Sequence, residues 1–136
     1  MACVKAILED VTALNARRLA RGEEAVQIAL GVHYGPVVVG NIGTERRLEL
    51  GVIGDTVNVA SRLEELTRVI GRMAVVSDQL VADIKERRPD AADAMLEDFV
   101  FLGANHLEGR RQDIAVWASK QTLVASESRA RWARSA

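Results

Sequence analysis

The run Leu50-Gly51-Val52-Ile53-Gly54-Asp55-Thr56-Val57-Asn58-Val59-Ala60-Ser61-Arg62-Leu63-Glu64 decides how this chain is read. An apolar stretch stops at Gly54, and a helix is expected directly after it. Asp55 or Thr56 can cap that helix by accepting hydrogen bonds from its first backbone N–H groups. Val59, Ala60, Leu63, Leu66 and Ile70 recur at helical spacing and predict the face turned to a core. Asn58 and Arg62 lie four apart, so a neutral amide and a fixed positive charge share one face near the helix start. A helix N-terminus already favours anions, which gives that face the chemistry to hold a sugar and a phosphate. The same spacing also suits a plain surface pair of Arg62 with Glu65, with Asn58 an ordinary first-turn polar residue.

Upstream, Leu48, Leu50 and Val52 alternate into the strand that feeds this helix. Earlier still, Val26, Ile28, Leu30 and Val32 alternate with Gln27, Ala29, Gly31 and His33, which predicts a half-buried strand. Its second face is small at Ala29 and Gly31, so a helix or a partner chain can approach closely. Gly35-Pro36 reads as a turn, with Val37-Val38-Val39 returning as the partner strand. Gly40 to Gly43 lacks the lysine and the following helix of a phosphate-binding loop. A bulge or a close contact with a second subunit suits those glycines better, and Thr44 to Arg47 reads as a polar loop. The first helix, residues 3–21, carries Val4, Ile7, Leu8, Val11 and Leu14 on one stripe and stops at Gly22.

Downstream, Gly71 ends the periodic pattern and Ala74-Val75-Val76 makes a short buried strand. Ser77 or Asp78 caps a helix with Leu80, Val81 and Ile84 on its inner face, which Pro89-Asp90 closes. A helical turn over 91–96 follows, then strands at Phe99–Leu102 and Ile114–Trp117 around a turn at Gly109-Arg110-Arg111. Residues 121–136 read as an Arg- and Ser-containing tail. The order is mixed α/β with a substantially antiparallel sheet.

Composition narrows the class. A chain of 136 residues, 49% hydrophobic and 27% charged, holds one domain or a piece of one. A net charge of −1 implies no global attraction to nucleic acid or to an anionic membrane. The lone Cys3 excludes an internal disulfide, fits a reducing compartment and, on an apolar helix face, reads as a small buried residue. No membrane-spanning run or signal-peptide layout is present, so a cytoplasmic location is expected. His33 and His106 have no ligand cluster beside them in sequence and read as structural or hydrogen-bonding histidines.

The string Gly54 to Glu64 resembles the strand-to-helix signature of class III nucleotide cyclases. Gly31-Val32-His33-Tyr34-Gly35-Pro36-Val37-Val38-Val39-Gly40-Asn41-Ile42-Gly43 is similar to the hairpin that precedes it in bacterial members. Two long matches in the right order are far more specific than a lone glycine motif. The resemblance implies a ferredoxin-like α+β core, here without its N-terminal half, as a partial catalytic domain over 1–120 with a tail over 121–136.

It further implies conversion of a nucleoside triphosphate, ATP in an adenylate cyclase, to the 3′,5′-cyclic monophosphate and pyrophosphate, at a site shared by two cyclase domains. Asn58 matches the residue that orients the ribose, and Arg62 the residue that stabilises charge at the α-phosphate. Gly51 stands at the base-reading position, where family members that select adenine usually carry Asp or Thr. Arg110 lies near a phosphate-contacting basic position. The Mg²⁺ or Mn²⁺ of the complete enzyme is held by two aspartates of the family's first half, and neither matches a residue here. Either the chain is a fragment or its gene encodes a shortened cyclase. Three readings follow: a catalytic half, inactive alone, that pairs with a second cyclase domain or a second copy; a non-catalytic cyclase-like dimerisation module; or an unrelated nucleotide-binding domain, which a flavodoxin-like parallel sheet would support. Unpaired strand edges and apolar surface are expected to be hidden by dimerisation or by exchange of elements between chains.

Overall fold

Alternation of apolar residues along the strands gives one sheet two buried faces, and the helices divide between them. The computed structural model describes residues 1–44, 47–107 and 112–123. Its elements are α1 (Ala2–Ala20), β1 (Leu30–Val32), β2 (Val38–Thr44), β3 (Arg47–Ile53), α2 (Asp55–Ile70), β4 (Ala74–Ser77), α3 (Asp78–Arg87), α4 (Ala92–Leu96), β5 (Phe99–Asn105) and β6 (Ile114–Ser119). Four strands form a sheet in the order β1-β4-β6-β5, while β2 and β3 form a separate two-stranded ribbon. β1 runs parallel to β4, and the β4–β6 and β5–β6 pairings are antiparallel. Parallel neighbours need a long crossover; α2 supplies it, and the ribbon is an excursion on the way. This is the mixed α+β architecture expected, and two antiparallel pairings in four strands exclude a flavodoxin-like sheet.

The central strand β4 is buried along its whole length. Ala74 and Val76 join Leu8 of α1, Val81 and Ile84 of α3, and Leu96 of α4 in one core. Val75 points the other way, to Val59, Leu63 and Leu66 of α2 with Val116 and Ala118 of β6. Each Val, Leu or Ile among them contributes roughly 1.5–3 kcal/mol of burial. The stripe read in α2 therefore seats it on one face, with α1, α3 and α4 on the other.

Several local expectations are corrected. The strand expected from Val26 begins only at Leu30, because the Asn15 side chain takes both backbone groups of Val26, accepting from its N–H at 2.7 Å and donating to its carbonyl at 2.8 Å. A side-chain amide on α1 thus occupies the place of a neighbouring strand. Val37 to Val39 does not return beside β1, since Val38 pairs with Ile53 and Val39 with Val52. The Pro36 carbonyl accepts the Thr56 hydroxyl instead of closing a turn back to β1. Cys3 is exposed rather than buried. β5 extends to Asn105, beyond the expected Leu102, through a register shift next to Gly103, whose φ is +80°. Gly22 and Gly71, at φ +72° and +70°, follow the ends of α1 and α2 as read from the sequence.

Lys5 pairs with Glu97 and lies 3.7 Å from Asp98, tying the start of α1 to the α4–β5 corner. The hydrogen bond between the two raises the Lys5 pKa and lowers that of Glu97. Among the described residues no helix is long and apolar enough to cross a membrane.

Candidate functional site

α2 begins where the ribbon ends. Its N-cap is Gly54, at φ +145°, a backbone that L side chains rarely adopt, and no side chain closes the cap. Asp55 is the first helical residue, in the turn where the helix dipole favours a carboxylate. Thr56 does not cap either; its hydroxyl donates to the Pro36 carbonyl at 2.7 Å. The N-cap is thus Gly54, with Asp55 and Thr56 the first two residues of the helix.

Asn58 is exposed one turn into α2, and Arg62 follows on the next turn with 39% of its side chain accessible. The helix buries Val59 and Leu63 instead, so the amide and guanidinium are on the outer side. Arg62 Nη1 meets Glu65 Oε2 at 2.8 Å, the plain surface pair that the spacing allowed. An exposed i,i+3 pair of this kind contributes about 0–1 kcal/mol, so it holds the guanidinium only lightly. A phosphate gives Arg charge-assisted, often bidentate hydrogen bonds, which are stronger. One turn on, Arg68 grips Glu64 at 2.5 and 3.0 Å.

Gly51 lies in β3 directly opposite Gly40 of β2. A Cβ added at Gly40 would meet nothing within 4 Å. The ribbon therefore carries no side chain from either strand at that register. Arg110 lies outside the described residues; of the other three expected site residues, Gly51 lies on β3 and Asn58 and Arg62 on α2, in the ribbon-to-helix unit. Around Gly51 the ribbon exposes Val38, Val39, Leu50, Val52 and Ile53, with Leu50 76% accessible.

His33 and His106 are both hydrogen-bonded. His33 Nδ1 lies 2.7 Å from the buried Ser77 hydroxyl, which also accepts the Leu80 N–H as the N-cap of α3. His106 Nδ1 lies 3.0 Å from Asp113. Among the described residues no group of three or more His, Cys, Asp or Glu could hold a metal ion. The carboxylates of α2 nearest Arg62 face arginines, so this donor set does not fit a divalent cation.

Sequence reasoning missed what braces this unit from behind. Tyr34 accepts a hydrogen bond from Arg87 Nη2 at 3.0 Å, with the Arg87 guanidinium over its ring. Asp83 grips the same arginine and raises its pKa. Tyr34 and Arg87 stand 53 residues apart, so spacing carries no signal for the pair. Gly31 was legible as a place of close approach, and what approaches is α2.

The family model of the adenylate and guanylate cyclase catalytic domain matches residues 2–113. The chain belongs to that family. Adenylate cyclase 1 of Rhizobium meliloti (strain 1021) is 38% identical over 84 residues, covering 62% of this chain and 13% of that protein. Adenylate cyclase 2 of the same organism is 32% identical over 114 residues, covering 84% of this chain and 29% of that protein. The chain thus spans under a third of either relative. The crystal structure of the adenylyl cyclase CyaB from P. aeruginosa matches with a TM-score of 0.57 at 21% identity, over 90% of this chain and 55% of that one. That likeness speaks to the fold.

Proposed function

We propose that this chain supplies the ribose- and phosphate-contacting part of a class III adenylate cyclase site. The reading is carried by one observation: Asn58 and Arg62 lie on the outer side of the opening turns of α2, in a helix whose inner side is fully committed to the core. In the reaction, the ribose 3′-hydroxyl of ATP loses its proton and its oxygen bonds to the α-phosphorus. The bond from that phosphorus to the bridging oxygen breaks, and pyrophosphate leaves with the electron pair.

Asn58 orients the ribose through its carboxamide, which offers both donors and an acceptor. Arg62 leaves Glu65 and neutralises charge that grows on the α-phosphate, a task worth on the order of 3 kcal/mol in such sites. Gly51 leaves the base without a side-chain contact at that register. The preference for adenine therefore rests on the named relatives, both adenylate cyclases. Arg110 is a further phosphate contact by resemblance. Mg²⁺ or Mn²⁺, where the enzyme uses it, is held by residues outside this chain, from a second cyclase domain or the part of the family domain that this sequence does not match. The chain is inactive alone. Its location is the cytoplasm, where ATP is available.

Mixing the folded chain with a cyclase chain that carries the metal aspartates tests this reading. Cyclic AMP formed by the mixture and by neither partner alone supports it; a folded complex that forms none contradicts it.

The second reading, a non-catalytic module that pairs with a cyclase-like domain, is favoured by the exposed apolar ribbon. A stable dimer with no nucleoside triphosphate affinity at millimolar Mg²⁺ or Mn²⁺ would select it over the first.

A further inference from the structure

β1 carries glycine at the point where α2 crosses it. A Cβ built on Gly31 would stand 2.2 Å from the Ala60 carbonyl oxygen and 2.3 Å from the Glu64 backbone nitrogen. Both are backbone atoms, so no side-chain rotation relieves the overlap; the helix must move as a body. Gly31 has no positive φ, and its own conformation would accept any residue. The helix alone demands the glycine. Ala60 and Glu64 bracket Arg62 in sequence and begin one half-turn after Asn58.

A second contact fixes the start of the same helix. The Thr56 hydroxyl donates to the Pro36 carbonyl at 2.7 Å, and a Cβ on Gly35 would lie 2.6 Å from that hydroxyl oxygen. The loop that offers Pro36 is itself held by α3, through His33 with Ser77 and Tyr34 with Arg87. α2 is therefore set in height by a strand glycine and in rotation by one hydroxyl.

We propose that Gly31 and Thr56 are positioning residues for the Asn58/Arg62 face: the first sets how deeply α2 sits on the sheet, the second locks its first turn to the loop after β1. The proposal rests on the nucleotide reading for its consequence in catalysis, and on geometry alone for the placement of Asn58. Near-attack alignment tolerates little error, since a displacement of about 1 Å from the reacting position costs on the order of 100-fold in rate.

The experiment compares Gly31→Ala, Thr56→Val and Thr56→Ser with Leu96→Ala, a change in the core on the opposite face of the sheet. Two quantities are read: the NMR resonances of the Asn58 side-chain amide in the 136-residue chain, and kcat and KM of the mixture with the metal-bearing partner. Gly31→Ala is expected to move the Asn58 resonance and cut kcat by about 100-fold. Thr56→Val moves the same resonance less and lowers kcat by about 10-fold, while Thr56→Ser, which keeps the hydroxyl, restores both. Leu96→Ala lowers the melting temperature and leaves both readouts in place.

Thr56→Val with an unmoved Asn58 resonance and unchanged kcat overturns the proposal, and so does Leu96→Ala matching the kcat loss of Gly31→Ala. Should Gly31→Ala not fold, the Thr56 pair decides. If the wild-type mixture makes no cyclic nucleotide, the catalytic reading fails separately, and the Asn58 resonance still judges the placement.

Discussion

The sheet core and the β2–β3 ribbon are built from the same kinds of side chain and meet opposite fates. Val75, Val76 and Val116 are fully buried, whereas Val38, Val39, Leu50 and Ile53 are each more than half accessible. Nothing in side-chain chemistry separates the two sets. Their difference lies in what covers them: the sheet has helices on both faces, while the ribbon presents Val38 and Ile53 on one face and Val39, Leu50 and Val52 on the other. A two-stranded ribbon is marginal by itself, and one with two apolar faces gains stability only by being covered. Docking each of these side chains would contribute roughly 1.5–3 kcal/mol, against an association cost of about 4–15 kcal/mol. Several together are needed, and several are present. The contrast supports pairing with a second cyclase domain or a second copy.

Perturbing the two regions in parallel sharpens that contrast. Leu63→Ala removes a fully buried side chain and is expected to destabilise the chain by about 2–5 kcal/mol in denaturant titration. Leu50→Asn, at an exposed ribbon position, should change the same titration by under about 0.5 kcal/mol. It should nevertheless weaken association by about tenfold, or ~1.4 kcal/mol, in sedimentation analysis. Equal losses of stability for both variants would break the contrast. Ser77→Ala deletes the cap of α3 and the partner of His33; a cost of about 1–2 kcal/mol in thermal unfolding is expected.

The smallest effect concerns the Lys5–Glu97 pair, whose side chains are 29% and 58% accessible. Glu97 has its folded pKa lowered, so the pair stabilises the fold above the ordinary carboxylate value of 4.5 and loses that contribution as the pH falls through the folded value. Lys5 has its pKa raised, so its share persists up to 10.5 and is lost above it. Glu97→Gln should therefore lower the melting temperature slightly at neutral pH, with the gap to wild type closing in acid.

What the sequence revealed follows the range of the interaction. The α2 stripe, the Gly71 stop, the buried β4 and the Ser77 cap are local patterns, written within a few residues, and all are present. The length of β1 is not local. Alternation at Val26 to Val32 says which face is buried, but the backbone partners of Val26 sit on Asn15, eleven residues upstream. The neighbour of β1 is more remote still, since Leu30 pairs with Ala74. The Val37 to Val39 run has no alternation from which exposure could be read. At the site, the Asn58/Arg62 spacing was legible, whereas the Thr56 latch was not, because a hydroxyl near a helix start reads first as a cap.

The most direct test is the turnover of Arg62→Ala against wild type, each mixed with a metal-bearing cyclase partner and checked by circular dichroism. The account predicts a kcat lower by about 10²-fold, with the helix content and the KM little changed. Undiminished turnover would mean that the guanidinium serves the folded chain rather than the reacting phosphate, and the assignment of α2 to that phosphate would be wrong.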